Sequence, residues 1–268
     1  MNIGTITCTY FMRIYNYHGP DPLDWNVMCD KYRAEFTWDD FLALAGEIKD
    51  MGFNSLEIWE PNFSYQAYTE NDARAMAEEL KKMGFGLLAY CIGGWGKNDV
   101  PVVEKAYRFA KALGAHVVVG CISQPDAGVI LPEIEKWGKA LGMRYAIENH
   151  PRPNLESPED IADAANAYET IGANLDTGIY NMMGYDVSAA ANLLDQKIFH
   201  VHLKDTVKGT RDGCLPIGDG DAPLRELLLK LRNCGYEDML SVEYEYPDDP
   251  APGLKKSIQY IYGVLGDH

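Results

Sequence analysis

The sequence predicts an α/β fold built as one closed (β/α)8 barrel, the TIM-barrel architecture. Strand-like and helix-like runs alternate along the whole 268-residue sequence. A glycine recurs about every 30 residues, each time just after a helix-like run. Eight such units fill one barrel, and no shift in composition marks a second domain. We therefore expect residues 1–268 to form a single barrel domain.

The recurring glycines divide the chain into its repeating units. They are Gly52, Gly84, Gly114, Gly142, Gly172 and Gly235, and a short strand-like run follows each of them. Glycine just past the end of a helix readily adopts the left-handed conformation that ends many helices. The pattern therefore predicts that helix, glycine and strand repeat in this order.

The boundaries of the predicted elements follow from hydrophobic periodicity. Strands are expected to begin near Ile3, Ser55, Gly86, His116, Met143, Ala173, Ile198 and Met239. Helices are expected over residues 38–51, 70–83, 99–113, 127–141, 158–168, 187–194, 223–234 and 253–264. Thr37, Asp126, Ser157 and Asp221 are candidate capping residues at helix N-termini.

The connection between the first strand and the first predicted helix, about residues 10–36, is unusually long. A loop of this length at the active face of a barrel often forms a lid, or a contact with a second copy or a partner subunit. An irregular surface excursion is the alternative interpretation.

The composition limits the classes of function. A formal net charge of −16 opposes binding to nucleic acid or to an anionic membrane, since both need a basic surface. A small-molecule substrate is expected instead. The six cysteines include no CxxC pair, so free thiols in a reducing compartment are expected. No run resembles a signal peptide or a membrane span, and the cytoplasm is therefore the expected location.

The run from Lys197 to Asp205 carries the most informative pattern in the chain. Alternation with a period of two sends His200, His202 and Lys204 to one face of a strand and apolar residues to the other. Two imidazoles and an ammonium on one buried face are costly unless a metal or an anionic intermediate compensates them. The pattern therefore predicts a functional site on this face.

Three other strand-like runs end in a carboxylate, at Glu148, Asp176 and Glu243. Residues at the carboxyl ends of barrel strands form the active site, so we expect these three to meet His202. Oxygen and nitrogen ligands suit Mn²⁺, Mg²⁺, Co²⁺ or Zn²⁺. We predict that the four side chains hold one divalent cation, with Mn²⁺ preferred. Salt bridges and a hydrogen-bonded core histidine are the alternatives.

Four motifs resemble those of the sugar phosphate isomerase/epimerase group of xylose isomerase-like barrels. This group includes ketose 3-epimerases, hydroxypyruvate isomerase, inosose dehydratase and subunits of C-glycoside-cleaving enzymes. The motifs are Glu148-Asn149-His150, Leu175-Asp176-Thr177-Gly178, His202-Leu203-Lys204-Asp205 and Ser241-Val242-Glu243. The glycine-rich segment 216–221 also resembles the loop that follows strand seven in this family.

The resemblance implies a metal-dependent isomerase or epimerase of a keto-sugar or polyol. The reaction would begin with abstraction of a proton next to a carbonyl and pass through a metal-bound enediolate. Glu148 or Glu243 would remove the proton, and the other carboxylate or His150 would return it. Lys204 would stabilise the enediolate, or would instead form a structural pair with Asp205 or Glu243.

The leading alternative is a lyase on the same scaffold, either an inosose-type dehydratase or the catalytic subunit of a C-glycoside-cleaving enzyme. A metal-dependent nuclease is opposed by the negative charge. A non-catalytic sugar-binding barrel would bind sugar without exchanging the α-proton in D₂O. Product mass separates an isomerase or epimerase from a lyase, a DNA-nicking assay detects a nuclease, and deuterium uptake separates an enzyme from a sugar-binding barrel.

Four further residues, His200, Glu57, Trp95 and Arg211, are candidate substrate contacts, each with a structural alternative. Relatives often carry a histidine three residues after the aspartate of strand six, where this chain has Ile179. We therefore expect a more apolar pocket, or a histidine from position 150 or 200 in its place. The acidic segment 245–249 opposes a phosphate, so an uncharged sugar or a glycoside of one is expected.

Overall fold

A computed structural model describes residues 1–210 and 213–266. Its eight parallel strands form a closed barrel in chain order, and β1 pairs with both β2 and β8. The strands are β1 Asn2–Ile6, β2 Ser55–Trp59, β3 Leu87–Trp95, β4 Ala115–Ile122, β5 Arg144–Glu148, β6 Ile171–Asp176, β7 Ile198–Leu203 and β8 Met239–Val242. The predicted barrel is confirmed, and each strand begins within two residues of its expected position.

Helices surround the barrel. They are α1 Trp25–Glu35, α2 Trp38–Asp50, α3 Glu70–Lys82, α4 Val103–Leu113, α5 Ala127–Leu141, α6 Pro158–Asn166, α7 Thr177–Met182, α8 Val187–Leu194, α9 Leu224–Asn233 and α10 Ala251–Leu265. The eight predicted helices are all present, although a 3-10 segment replaces the start of the one predicted from residue 99. Helices α1 and α7 were not predicted.

Five of the six recurring glycines adopt the expected left-handed conformation, with φ between +62° and +101°. Gly172 does not, because it lies inside β6 rather than after a helix. A Cβ atom there would lie 2.4 Å from the ring of Phe199 and 2.5 Å from the carbonyl oxygen of Lys197. This glycine permits close packing of neighbouring strands rather than a turn.

The capping predictions are half right. Thr37 and Ser157 each close a capping box with the aspartate three residues later. Asp126 makes no capping bond at the start of α5, and Asp221 instead accepts hydrogen bonds from Asn181 and from the backbone of Lys208. Both aspartates stabilise loops on the active face and not helix N-termini.

The long first connection is ordered rather than irregular. It contains a 3-10 segment, Thr7–Tyr15, followed by helix α1. Arg33 of α1 forms an ion pair with Glu60, a buried carboxylate just after β2, at 2.7 Å. Tyr32 of the same helix donates a hydrogen bond to the backbone of Tyr10. These contacts fix α1 against the active end of the barrel.

The six cysteines are all free, as expected. Across residues 1–210 and 213–266, none of the helices has the length and apolar character needed to cross a membrane.

Candidate metal centre

The four predicted ligands meet at the carboxyl end of the barrel. Glu148 and Asp176 are the last residues of β5 and β6, His202 lies near the end of β7, and Glu243 directly follows β8. One potential ligand atom from each lies within 4.8 Å of the others. Strand pairing places Asp176 beside His202 in register. The sequence therefore brings together four donors that are separated by up to about 95 residues along the chain.

The ring of His202 presents a different partner at each nitrogen. Nδ1 lies 3.0 Å from Oε1 of Glu148, 3.0 Å from Oε2 of Glu243 and 4.0 Å from Oδ2 of Asp176. Nε2 lies 3.1 and 3.0 Å from the two carboxylate oxygens of Glu57. When Nε2 carries the proton that Glu57 accepts, Nδ1 keeps its lone pair. That lone pair could bind a cation held between the other three carboxylates.

Glu57 and His200 lie one layer deeper in the barrel than His202. Glu57 Oε2 is 2.9 Å from Nε2 of His200, and both side chains are 0% exposed. Neither lines the cavity described below, so the structure gives no support to the predicted substrate contacts of Glu57 and His200. The alternation of side chains along β7 correctly predicted that His200 points into the barrel. Alternation does not show how deep a residue lies along the barrel axis.

Electrostatics keeps Glu57 ionised. Burial raises the pKa of its carboxyl group, but His202 and His200 lower it more, and the net pKa lies below its ordinary value. Burial similarly lowers the pKa of His202, yet Glu57 and Glu243 raise it well above the ordinary value. In the absence of a cation, a proton at His202 therefore offsets part of the surrounding negative charge.

Lys204 is buried beside the four donors. Its Nζ atom lies 2.9 Å from Glu243, 3.3 Å from Asp176 and 3.1 Å from Glu245. Burial lowers the pKa of Lys204, but the carboxylates of Asp176 and Glu243 raise it more, so the ammonium is charged. The alternative of a pair with Asp205 is not observed, whereas the pair with Glu243 is.

Asp205 instead organises the glycine-rich loop that follows β7. Its carboxylate accepts hydrogen bonds from the backbone N–H groups of Gly218, Gly220 and Ala222. The loop 216–221 is thereby tied to the end of the strand that carries His202 and Lys204.

Asn149 fixes the position of Asp176. Its side chain accepts a hydrogen bond from the backbone N–H of Asp176 and donates one to the carbonyl of the same residue. Oδ1 of Asp176 in turn accepts the N–H of Ile179 at the start of α7. Sequence reasoning did not assign a role to Asn149, although it lies in the motif next to Glu148.

The donor set fits a divalent cation. Oδ2 of Asp176 and Oε2 of Glu243 are buried and accept no well-aligned hydrogen bond from the described residues. Burial raises the pKa of Asp176 to about 7, and the nearby Glu243 and Glu148 add to this shift while Lys204 opposes it. Three oxygen donors and one imidazole suit a cation such as Mn²⁺, whose charge would offset this repulsion.

A cavity of about 680 Å³ opens onto the candidate centre. Glu148, His150, His202, Lys204 and Glu243 line it, together with Ile179. Ile179 makes its part of the cavity wall apolar. Of the two histidines expected to take the place of a histidine at position 179, His150 lines the cavity and His200 does not.

Trp95 does not line this cavity. It is 4% exposed and packs against the rings of Tyr107 and Tyr145, so the structure gives no support to its predicted contact with a ligand. Gly93 and Gly94, which precede Trp95, are part of β3, and the pairing of β3 with β4 shifts register there. Arg211 lies outside the described residues.

Cys8, Trp25 and Glu245 are among the lining residues that were not predicted as site residues. Sγ of Cys8 lies 3.7 Å from Oε1 of Glu243. Trp25 and Glu245 follow the ends of β1 and β8, where the barrel architecture itself points to the active face. That rule is the signal that finds them, because their residue types alone are not distinctive.

Known structures with the same fold include a D-tagatose 3-epimerase-like protein, which is 18% identical with a TM-score of 0.69 over 100% of this chain and 99% of that one. A D-allulose 3-epimerase from Methylomonas sp. is 12% identical with a TM-score of 0.72, over 99% and 98%. A probable 3-DHS dehydratase from Bacillus anthracis is 14% identical with a TM-score of 0.69, over 97% and 98%. At these identities the similarity shows the fold alone.

No curated protein sequence matches this chain significantly. The sequence model of the xylose isomerase-like TIM barrel family, in contrast, matches residues 45–264. This range includes all four predicted ligands and seven of the eight strands. By its sequence and by its closed eight-stranded architecture, the chain belongs to the xylose isomerase-like TIM barrel family.

Proposed function

We propose that the protein is a divalent-metal-dependent isomerase or epimerase of an uncharged keto-sugar or polyol. The observation that carries the proposal is that Glu148, Asp176, His202 and Glu243 each bring one potential ligand atom within 4.8 Å of the others, and that three of them, Glu148, His202 and Glu243, line a cavity. The epimerases of the same fold are consistent with it.

Glu148, Asp176, His202 and Glu243 would hold the cation. When bound, a divalent cation polarises a carbonyl oxygen and so acidifies the neighbouring C–H group. Asn149 and Glu57 orient two of the donors, Asp176 and His202, through the hydrogen bonds described above. The chain thus supplies both the ligands and the contacts that orient them.

Glu243 and Glu148 are the candidate bases, because both carboxylates line the cavity. Burial raises the pKa of Glu243, but Lys204 and His202 lower it more, to well below its ordinary value. Glu243 is therefore ionised and able to accept an α-proton from the substrate. Glu148 lies 3.0 Å from the same nitrogen of His202, Nδ1, as Glu243 does, and would be the second carboxylate to exchange a proton with the substrate.

Lys204 and His150 supply two further polar groups to the cavity. The ammonium of Lys204, held by Asp176 and Glu243, stabilises negative charge that develops on the substrate oxygens. His150 lines the cavity and pairs with Asn154 through Nδ1 at 3.3 Å, which leaves Nε2 for a substrate hydroxyl or for proton transfer.

The charge of the cavity favours an uncharged substrate. Three carboxylates, Glu148, Glu243 and Glu245, line it together with the single ammonium of Lys204 among the described residues. A phosphate group would be repelled by this arrangement.

Deuterium uptake tests the proposal. The Mn²⁺-loaded protein in D₂O is expected to incorporate deuterium at the α-carbon of at least one member of a panel of D-fructose, D-allulose, D-tagatose and 3-keto-glucosides. Glu148→Gln and Glu243→Gln should each slow uptake by roughly 10²–10⁴-fold while circular dichroism shows an intact fold. Absence of uptake across the panel contradicts the proposal, and full uptake in either variant removes that residue from the proton-transfer scheme.

A lyase is the second candidate function, and the position of His150 favours it. His150 lines the same cavity as the two candidate bases and would protonate a departing hydroxyl or aglycone. Mass spectrometry separates the two functions, because an isomerase or epimerase leaves the substrate mass unchanged in H₂O whereas a lyase releases water or an aglycone.

A further inference from the structure

The cavity is divided into a charged half and an uncharged half. The charged lining residues all follow or end strands β5–β8: Glu148, His202, Lys204, Glu243 and Glu245. Strands β1–β4 and the segments that follow them contribute only uncharged lining residues, among the residues that the structure describes. These lining residues are Ile6, Cys8, Trp25, Asn26, Cys29, Trp59, Cys91, Gly93, Gly94 and Cys121.

The uncharged half offers few partners for hydroxyl groups. Asn26 is the one amide side chain there among the described lining residues, and the others are aliphatic, aromatic, thiol or glycine. Sugar hydroxyls buried against such a surface would lose hydrogen bonds to water without replacement. This half therefore suits an apolar part of a ligand better than it suits sugar hydroxyls.

Trp25 provides an ordered aromatic surface in this half. Its ring stacks on Phe11 at a centroid distance of 5.2 Å and meets the edge of Trp59 at 6.5 Å. Nevertheless 43% of Trp25 is exposed, and the residue lines the cavity. A planar apolar group stacked here would cover this ring at little cost in ordering, because the ring is already positioned.

The size of the cavity agrees with a substrate larger than a single sugar ring. Its volume of about 680 Å³ lies within the range of roughly 300–1,000 Å³ typical of sites for drug-sized molecules. On the side of α7, Ile179 and Met182 extend the apolar surface towards the charged half.

We infer that the substrate carries a planar apolar group, of the size of an aromatic ring, that binds in the uncharged half against Trp25. Its polar, carbonyl-bearing part faces Glu148 and Glu243. Only the binding of the polar part of the substrate rests on the proposed function. The aromatic subsite is argued from the lining residues of the first four strands and their loops.

Two probes that differ only in the aglycone test the subsite: methyl and phenyl 3-keto-β-D-glucopyranoside, titrated into the full-length Mn²⁺-loaded protein by calorimetry. We expect the phenyl compound to bind at least tenfold more tightly. Trp25→Ala should remove most of this preference and Trp25→Phe should retain it. Val27→Ala is the matched control, since Val27 is an exposed apolar residue of the same helix that does not line the cavity.

A preference below tenfold, a preference that survives Trp25→Ala, or no binding of either compound overturns the inference. Deuterium uptake by the same two compounds is measured in parallel. Phenyl preference without uptake contradicts the proposed chemistry and retains the subsite. Uptake from both compounds with equal affinity retains the chemistry and overturns the subsite.

Discussion

Glu57 lies on the side of the His202 ring opposite to the other three carboxylates, with its oxygens 3.0 and 3.1 Å from Nε2. His200 contacts Oε2 of the same carboxylate at 2.9 Å. Glu57 is thus placed to set the tautomer of His202 and to hold its ring in one orientation. A buried carboxylate behind a ligating histidine also makes the imidazole more basic.

Glu57→Gln should therefore weaken cation binding. The amide still accepts one hydrogen bond but loses the negative charge, and we expect the affinity for Mn²⁺, measured by calorimetry, to fall by roughly 10–100-fold. Glu60→Gln is the matched control, because Glu60 is also a buried carboxylate near the end of β2 but pairs with Arg33. An equal loss of affinity in both variants would assign the effect to general destabilisation.

Cation binding should also stabilise the fold. A ligand that binds only the native state at about 100 times its dissociation constant adds about 2.7 kcal/mol to the free energy of unfolding. We expect Mn²⁺ to raise the melting temperature of the chelator-treated wild type and to have little effect on Asp176→Asn. Asp238→Asn, which changes a carboxylate paired with Arg144 at the opposite end of the barrel, should keep the wild-type response. An unchanged response in Asp176→Asn would exclude Asp176 as a ligand.

The imidazole of His116 should make stability fall at acidic pH. Burial and the nearby His200 lower the pKa of His116 to about 4, although the carbonyl of Leu88 and the carboxylate of Asp238 oppose the shift. The unfolded chain binds a proton below about pH 6.5, whereas the folded chain resists it. The contribution of His116 is thus complete above pH 6.5 and is lost as the pH falls towards 4.

Urea unfolding of wild type and His116→Gln at pH 7.5 and pH 4.5 measures this contribution. The wild type should lose up to about 3 kcal/mol more than the variant between the two values, the equivalent of the shift in pKa. Parallel losses in the two proteins would show that His116 does not cause the acid sensitivity.

The loop 216–221 should not tolerate a side chain at position 220. A Cβ atom on Gly220 would lie 2.2 Å from Oδ1 of Asp205 and 2.5 Å from the carbonyl oxygen of Thr206. Gly220→Ala is therefore expected to lower the free energy of unfolding by roughly 1–3 kcal/mol.

Gly128→Ala in α5 is the control. A Cβ atom at this position has no other atom within 4 Å, so the substitution should stabilise the protein by up to about 1 kcal/mol. Denaturant unfolding that gives the same sign for both would contradict this account.

The alternation of strand-like and helix-like runs was sufficient to predict the barrel. The residue types at the carboxyl ends of the strands were sufficient to predict that four side chains meet there. The depth of a residue within the barrel was not predictable, because His200 and His202 share a face but only His202 reaches the cavity. Trp95 was misplaced since the irregular pairing of β3 extends the strand through two glycines. Helix α7, with six residues, is too short for its periodicity to be detected. The aromatic content of the first connection obscured α1.

The separation of the cavity into two sets of strands has a practical consequence for engineering. Randomised libraries at Trp25, Asn26 and Cys29 alter one wall without changing any of the four donors, all of which lie beyond residue 147 in the second half of the polypeptide. Substrate selectivity can therefore be varied at these three positions while Glu57, which orients His202 from the same half of the chain, is kept.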